Sequence, residues 1–173
     1  MHPLVKLAKK AVENYIRKGE IISLPSDLPK EFLEKKAGTF VTIKKEGKLR
    51  GCIGTFLPTQ ENIAKEVIRN AIASATKDDR FLPISEKELP YLSYTVYILS
   101  LPELIKDLRK LDPKKYGILI KTINYPQKSA LLLPGLEGID TPEKQIFIAC
   151  QKGGINPKRD KILIYRFSTQ KYQ

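Results

Sequence analysis

Two segments of the chain carry the pattern of an amphipathic α-helix, with apolar residues three and four positions apart. They run from Leu4 to Ile16 and from Glu61 to about Thr76, and the terminal residues indicate a third helix from Thr141 to Gly153. The third opens on a Thr-Pro pair, which is favoured at a helix N-terminus, and closes on a glycine, which suits the C-terminus. A weaker pattern favours a short helix from Leu104 to Leu111.

Short runs of β-branched and aromatic residues predict six strands. Glu46-Gly47 forms a turn that joins the first two as a hairpin, and a polar tail is expected after the last. Because strands and helices interleave without regular βαβ spacing, we expect an α+β fold with a mixed or largely antiparallel sheet and packed helices, in a single domain spanning residues 1–173. The strands are Phe40–Lys44, Leu49–Phe56, Tyr91–Leu99, Gly117–Thr122, Ala130–Leu133 and Ile162–Phe167.

The composition is that of an ordinary globular protein, with 42% hydrophobic residues. No apolar run approaches the length of a membrane span, and the lysine-studded N-terminus is unlike a signal peptide, so a cytoplasmic protein without membrane association is expected. Two cysteines among 173 residues are too few for a disulfide framework or a cysteine-built metal site.

The net charge of +12 suggests a nucleic-acid partner, since clustered cations gain affinity by releasing counterions from phosphates. However, the chain has 24 Lys and only seven Arg, and Arg is the residue favoured for bidentate contacts to phosphates and bases. A lysine excess also occurs in proteins from hot environments. A solvated lysine surface is therefore favoured over a dedicated nucleic-acid face, which remains an alternative.

The only histidine is His2, in a segment expected to fray. Mechanisms that need a Ser-His or Cys-His pair, and metal sites built on histidine, therefore lack their central residue. Phosphate-binding glycine loops, dinucleotide fingerprints and the G-x-S-x-G elbow are also missing, so no cofactor or metal is indicated.

The strand around Cys52 is the strongest candidate for chemistry. In a strand, Arg50 and Cys52 share a face, and a cation near a thiol favours the nucleophilic thiolate. Gly51 and Gly54 weaken a strand, and isolated glycines there mark a bulge or a close backbone or ligand approach. The alternative is that Cys52 is a small core residue and the glycines only bend the sheet.

A second candidate, Lys77-Asp78-Asp79-Arg80-Phe81, directly follows the second helix. Carboxylates oppose the dipole of a helix C-terminus, so they are expected just beyond it, in a loop. Asp78 could act as a general base or bind a polar group, with Arg80 holding an anion. A local Asp–Arg pair with Phe81 packed inward is the alternative.

Cys150 and Lys152 end the late helix. If Cys150 shares the apolar face with Ile146, a core position is the favoured interpretation, and Cys150 is only a secondary candidate. Lys152 complements the helix dipole, though it could also bind substrate.

Several segments together resemble one family. Leu49-Arg50-Gly51-Cys52-Ile53-Gly54 reproduces the hallmark LRGCIG of the AMMECR family. Ala75 with Asp78, Arg80 and Phe81 resembles its A-x-x-D-P-R-F segment, although Asp79 stands in place of the proline. Further matches are Gly38-Thr39-Phe40-Val41-Thr42, Leu131-Leu132-Leu133-Pro134 and Cys150-x-Lys152-Gly153.

The resemblance implies an α+β fold with a larger and a smaller lobe around a cleft, and a hallmark strand near that cleft. It implies no established reaction, although nucleic-acid or translation-related roles have been suggested for the family. In prokaryotes the family's genes tend to accompany those for a Memo-like protein and a radical S-adenosylmethionine protein, which suggests these as partners.

The leading hypothesis is an enzyme or small-molecule site with Cys52 as nucleophile or covalent acceptor, and with Arg50 and Asp78 as further catalytic candidates. The alternatives are an RNA- or DNA-binding module, and a non-catalytic adaptor between the two partner proteins. The substrate is an unidentified small molecule, and the cofactor is unknown. The substrate-binding candidates are Gly51, Gly54, Arg80, Phe81 and Lys152.

Overall fold

The computed structural model describes residues 1–173. The chain forms four α-helices, eight β-strands and two short 3₁₀ segments, Glu86–Tyr91 and Leu108–Lys110. The helices are α1 (Pro3–Lys18), α2 (Lys30–Glu34), α3 (Ile63–Thr76) and α4 (Pro142–Lys152). The strands are β1 (Thr39–Lys45), β2 (Lys48–Thr55), β3 (Leu92–Leu99), β4 (Glu103–Ile105), β5 (Gly117–Thr122), β6 (Ser129–Leu132), β7 (Ile162–Phe167) and β8 (Thr169–Tyr172).

The chain divides into two compact units, each with its own four-stranded sheet. Residues 1–99 and 170–173 form the first unit, and residues 100–169 form the second. The sheet orders are β2-β1-β3-β8 and β4-β7-β5-β6. β1 pairs with β2 and β3, and β7 pairs with β4 and β5, all antiparallel. The predicted α+β class with largely antiparallel sheets is confirmed.

The first unit buries one face of its sheet under α1 and α3. Alternate β1 residues, including Val41 and Ile43, are fully buried, and they meet apolar residues from the predicted faces of both helices. Burial of this face leaves the intervening β1 residues, among them Thr42, on the opposite face. The helix residues in this core include Leu4, Ala8, Ala11, Val12, Ala64, Val67 and Ala71.

The second unit has a smaller core, in which α4 covers β5 and β6. Ile118 and Ile120 of β5 pack with Ala149 and Cys150 of α4. The helix starts as expected, since the Thr141 side chain accepts a hydrogen bond from the Lys144 N–H.

The predicted helix from Leu104 to Leu111 is wrong. Residues 103–105 instead form β4, paired with β7, and only Leu108–Lys110 make a 3₁₀ turn. An ion pair between Glu103 and Arg166 of β7 joins the two strands, at an Nε–Oε2 distance of 2.9 Å. Strand pairing with a distant segment therefore overrides a weak local helical preference.

Both chain ends are more ordered than expected. The last residues form β8 beside β3 instead of a polar tail. His2 does not fray, because its ring caps α1 through the Leu4 N–H and stacks on Tyr172, with ring centroids 3.9 Å apart. Away from the chain ends, residues 30–34 form the short helix α2, and its Phe32 is buried against the core.

Candidate functional site

The cysteine strand, β2, lies at the edge of the first sheet. Its pairing with β1 shifts by one residue, so that Ile43 lies opposite Gly51 and Lys44 lies opposite Leu49. Arg50 is the extra residue of this β-bulge. The bulge expected from the glycines therefore occurs in this strand, and the expected close backbone approach occurs at Gly51.

Gly51 marks the place where α3 comes closest to β2. A Cβ atom at this position would lie 2.1 Å from the backbone oxygen of Ser74, so only glycine fits. Gly54 has a similar packing role, because a Cβ there would lie 2.2 Å from the ring of Phe40. These contacts account for both glycines through packing of the strand itself.

A row of polar side chains on α3 holds β2 in place. The Ile53 N–H donates to Ser74 Oγ at 2.8 Å, and that hydroxyl lies 2.7 Å from the Val41 carbonyl oxygen of β1. One turn earlier, the Asn70 amide donates to Thr39 and to the Thr55 hydroxyl. The helix thus bonds directly to the backbone and hydroxyls of the hairpin.

Glu66 completes this row and is fully buried. Its carboxylate accepts four hydrogen bonds from β2 and the following loop, which compensate for the loss of hydration. The pKa of Glu66 is lowered, because these hydrogen bonds outweigh the effect of burial. The donors are the hydroxyls of Thr55 and Thr59 and the N–H groups of Thr59 and Gln60.

Sequence reasoning missed Glu66, Asn70 and Ser74. A detectable signal existed, because the buried polar residues of α3 recur at every fourth position, 66, 70 and 74, and Asp78 continues the same spacing. Residues four apart on a helix share one face.

Asp78 lies just beyond α3, as predicted, and fixes the cysteine strand. Its Oδ2 accepts the Cys52 N–H at 2.8 Å, while both carboxylate oxygens accept hydrogen bonds from the Arg80 guanidinium, at 2.9 and 2.7 Å. The guanidinium bonds, together with the backbone N–H groups, lower the pKa of Asp78 to about 2. A carboxylate with so low a pKa is a weak base, so this geometry favours a positioning role.

Arg80 is the cation beside Cys52. Its side chain is 50% exposed, and its Nη2 lies 3.5 Å from the Cys52 carbonyl oxygen. The pKa of Arg80 is raised, mainly by the hydrogen bonds to Asp78 and also by the charge of Cys52. The guanidinium carbon lies 5.5 Å from the centre of the Phe81 ring, within cation–π range.

Arg50 is likewise paired with a carboxylate, that of Glu88, a residue that the sequence analysis did not identify. Nε and Nη2 of Arg50 donate to the two Glu88 carboxylate oxygens at 2.9 and 3.1 Å, and the Arg50 side chain is only 15% exposed. These bonds are the main reason why the pKa of Glu88 falls to about 2. Arg50 also lies 5.8 Å from the Phe81 ring, which therefore has a guanidinium from each arginine within 6 Å.

The Cys52 thiol lies on the sheet face opposite α1 and α3. Sγ is 3.2 Å from the Thr42 hydroxyl, and Thr42 is paired with Thr95 of β3, so the three side chains form a row across the sheet. The thiol is partly exposed. On the next row of the same face, burial and then the charge of Cys52 raise the pKa of Tyr97.

Cys150 and Lys152 belong to the second unit. Cys150 is 2% exposed in the core, and burial raises the pKa of its thiol. Lys152 Nζ donates to the Leu131 carbonyl oxygen at 3.0 Å, which ties the end of α4 to β6. Both residues have evident packing roles.

No group of three or more His, Cys, Asp or Glu side chains has an arrangement suited to a metal ion. None of the helices has the length and apolar character needed to cross a membrane.

The AMMECR1 family model matches residues 5–172, nearly the whole chain. The chain belongs to the AMMECR1 family. A family relative from Thermotoga maritima is 47% identical over 99% of this chain and 98% of its own length. The crystal structure of an uncharacterised Pyrococcus horikoshii protein has the same fold, with a TM-score of 0.88 and 32% identity, over 97% of this chain and 88% of that one.

A relative from Clostridium acetobutylicum is 42% identical over 91% of this chain, but the match covers only 33% of that protein. The AMMECR1 segment of the clostridial protein is therefore part of a much longer polypeptide.

The contact at Gly51 predicts a large loss of stability for Gly51→Ala. The new Cβ would overlap the Ser74 oxygen, so α3 and β2 would have to separate, at a cost of about 3 kcal/mol in the free energy of unfolding. Urea denaturation measures this loss. Gly138→Ala is the control, since φ is +76° there and a Cβ meets open space, so that only backbone strain of about 1 kcal/mol is added. An equal loss in both variants would contradict the packing role of Gly51.

The low pKa of Asp78 predicts a specific loss of stability in acid. The folded-state pKa of about 2 lies below the ordinary value of 3.8, so the stabilisation is present above about pH 4 and is lost as the pH falls through 2. Because Arg80 is half exposed, we expect Asp78→Asn to cost about 1 kcal/mol at pH 7 and little at pH 2.

Denaturant unfolding of Asp78→Asn at pH 7 and at pH 2 measures this difference. Asp27→Asn, at an exposed carboxylate, should leave the pH dependence unchanged. If Asp78→Asn costs the same at both pH values, the ion pair with Arg80 is not the source of the stabilisation.

Proposed function

We propose that this AMMECR1-family chain carries a small-molecule site at Cys52, in which the thiol acts as nucleophile or covalent acceptor. One observation carries the proposal: a partly exposed thiol lies on a strand whose own N–H is bonded to Asp78, with the half-exposed guanidinium of Arg80 beside it. A thiol that serves only to fill a core needs neither exposure nor an adjacent exposed cation.

The geometry favours different roles for the two arginines. Nε and Nη2 of Arg80 donate to Asp78, but this side chain is half exposed, so its remaining N–H groups suit an anionic group of the substrate. Arg50 has its Nε and Nη2 on Glu88, lies 5.8 Å from the Phe81 ring and is mostly buried. The role predicted for Arg50, favouring the thiolate, therefore fits Arg80 better.

The covalent step is addition of the Cys52 sulfur to an electrophilic carbon of the substrate. A carbon–sulfur bond forms as a π bond of the substrate opens, and the π electron pair moves to the neighbouring atom of the substrate. The thiol proton leaves to water, and that neighbouring atom takes up a proton from water. Thr42, 3.2 Å from the sulfur, can orient the thiol through its hydroxyl. Asp78 positions the strand and is too weak a base to take the proton.

This proposal predicts that Cys52 is alkylated in the folded protein and Cys150 is not. The buried thiol has a raised pKa and no solvent access, so its rate should be at least about tenfold lower. Mass spectrometry after iodoacetamide treatment across pH 6–9 resolves the two sites. Cys150→Ala should leave the Cys52 rate unchanged, and Cys52→Ala should abolish adduct formation with little change in melting temperature.

Iodoacetate, an anion, tests Arg80 in the same assay. We expect Arg80→Gln to lower the iodoacetate rate relative to iodoacetamide by about threefold, as for loss of one half-exposed charge. Lys48→Gln, an exposed cation on the same strand, is the matched control. A Cys52 that stays unmodified in the folded chain, or a large fall in melting temperature for Cys52→Ala, would count against a chemical role.

We further propose that the site acts together with a Memo-like protein and a radical S-adenosylmethionine protein. The family resemblance suggests these partners. In the clostridial relative the segment that matches this chain is 33% of the protein, so a domain of this family also occurs within a longer polypeptide.

Reconstitution of the three proteins with S-adenosylmethionine and a cell metabolite extract tests this arrangement. We expect a mass increase on Cys52, or turnover of a metabolite, only when all three are present. Cys52→Ala should abolish it, whereas Cys150→Ala should not. Unchanged metabolites and an unmodified Cys52 in the complete mixture would contradict the proposal.

A further inference from the structure

A cavity separate from Cys52 lies in the first unit, between the end of α1, the loop of residues 21–24 and one face of α3. Its volume is about 720 Å³. This is within the range of about 300–1,000 Å³ typical of small-molecule sites. None of the residues assigned to the Cys52 site lines it.

The interior of the cavity is mainly apolar. Ile68 and Ile72 of α3 form part of its surface, with Tyr15 on the α1 side and Leu24 on the loop. Ile21 also lines the cavity and is 70% exposed. A large apolar side chain exposed beside an apolar cavity would be covered by an apolar ligand.

The charged lining residues are all cations. Lys65 and Arg69 lie on the α3 face toward the cavity, Lys77 directly follows the helix, and no Asp or Glu is among the lining residues. They share the row 65, 69, 73 and 77, which lies next to the row 66, 70, 74 and 78 that binds β2. The helix therefore supports the Cys52 strand with one row and lines this cavity with the next.

Nearby carboxylates neutralise these cations only in part. Lys65 pairs with Glu61, which is mostly exposed, so solvent screens that pair. Arg69 lies 3.9 Å from Glu66, whose oxygens already accept four hydrogen bonds from the hairpin and loop. No ion pair forms at Lys77 within 4.0 Å.

From this charge complementarity we infer that the cavity binds a single-chain amphipathic carboxylate, a fatty-acid-like anion. Its alkyl chain lies along Ile68, Ile72 and Leu24, and its carboxylate meets Arg69 and Lys77. A mainly apolar interior matches the alkyl chain, and a lining with cations and no carboxylates matches the anionic head group.

Isothermal titration calorimetry with dodecanoate below its micelle concentration tests the inference. We expect saturable one-to-one binding to the whole chain, and no saturable binding of dodecyltrimethylammonium, which has the same alkyl chain and the opposite charge. In methyl NMR spectra, dodecanoate should shift the signals of Ile68 and Ile72.

Four variants separate the contribution of the cations to binding from that of the apolar cavity. The double variant Arg69→Gln/Lys77→Gln should weaken dodecanoate binding by about fivefold, as for two half-screened ion pairs. Lys158→Gln/Lys161→Gln, which makes the same charge change at exposed residues of the second unit, should not. Ala73→Trp places a large side chain in the cavity and should abolish binding, whereas Cys52→Ala should leave it unchanged.

Equal binding of dodecanoate and dodecyltrimethylammonium would overturn the inference. So would an unchanged dodecanoate affinity in the Arg69→Gln/Lys77→Gln variant, or association only with anionic lipid vesicles or an acidic peptide. If Ala73→Trp does not fold, circular dichroism will show it, and the charge variants and NMR shifts still decide the outcome.

Discussion

The close approach of α3 to β2 at Gly51 is the contact on which the first unit depends. Because no Cβ intervenes, the Ser74 backbone reaches the strand, and the Ser74 hydroxyl can bond to both Ile53 and Val41. Once the helix lies at this distance, Asn70 and Glu66 reach the hairpin on one side of Ser74, and Asp78 reaches Cys52 on the other. The position of the Cys52 thiol therefore depends on the lack of a side chain at Gly51.

This arrangement buries polar groups that would be costly without partners. Glu66 is the extreme case, since a fully buried carboxylate is stable only when its lost hydration is replaced. Four donors from the hairpin and loop replace the lost hydration, and the same hydrogen bonds order the loop after β2. The polar row thus fixes one preferred register between helix and strand, whereas apolar packing alone would tolerate small shifts.

The main helices and strands could be predicted because they bury regular apolar faces. The cysteine strand and the loop position of Asp78 were also predictable from local features. The polar row of α3, Glu66, Asn70 and Ser74, was not predicted, because only the spacing of the apolar residues was used to assign this helix. The Arg50–Glu88 pair spans 38 residues of sequence, so no local pattern could indicate it. Leu104–Leu111 was predicted wrongly because β7, nearly 60 residues later, decides the structure of residues 103–105.

The bulge at Arg50 and the Asp78 carboxylate also affect the tendency of this protein to associate with copies of itself. An outer strand normally presents unpaired N–H and carbonyl groups that can recruit a foreign strand and begin aggregation. In β2 the bulge interrupts the regular spacing, and Asp78 already occupies the Cys52 N–H. The ion pair that positions the thiol therefore also protects the edge of the sheet, so its loss should make the protein prone to self-association as well as less stable.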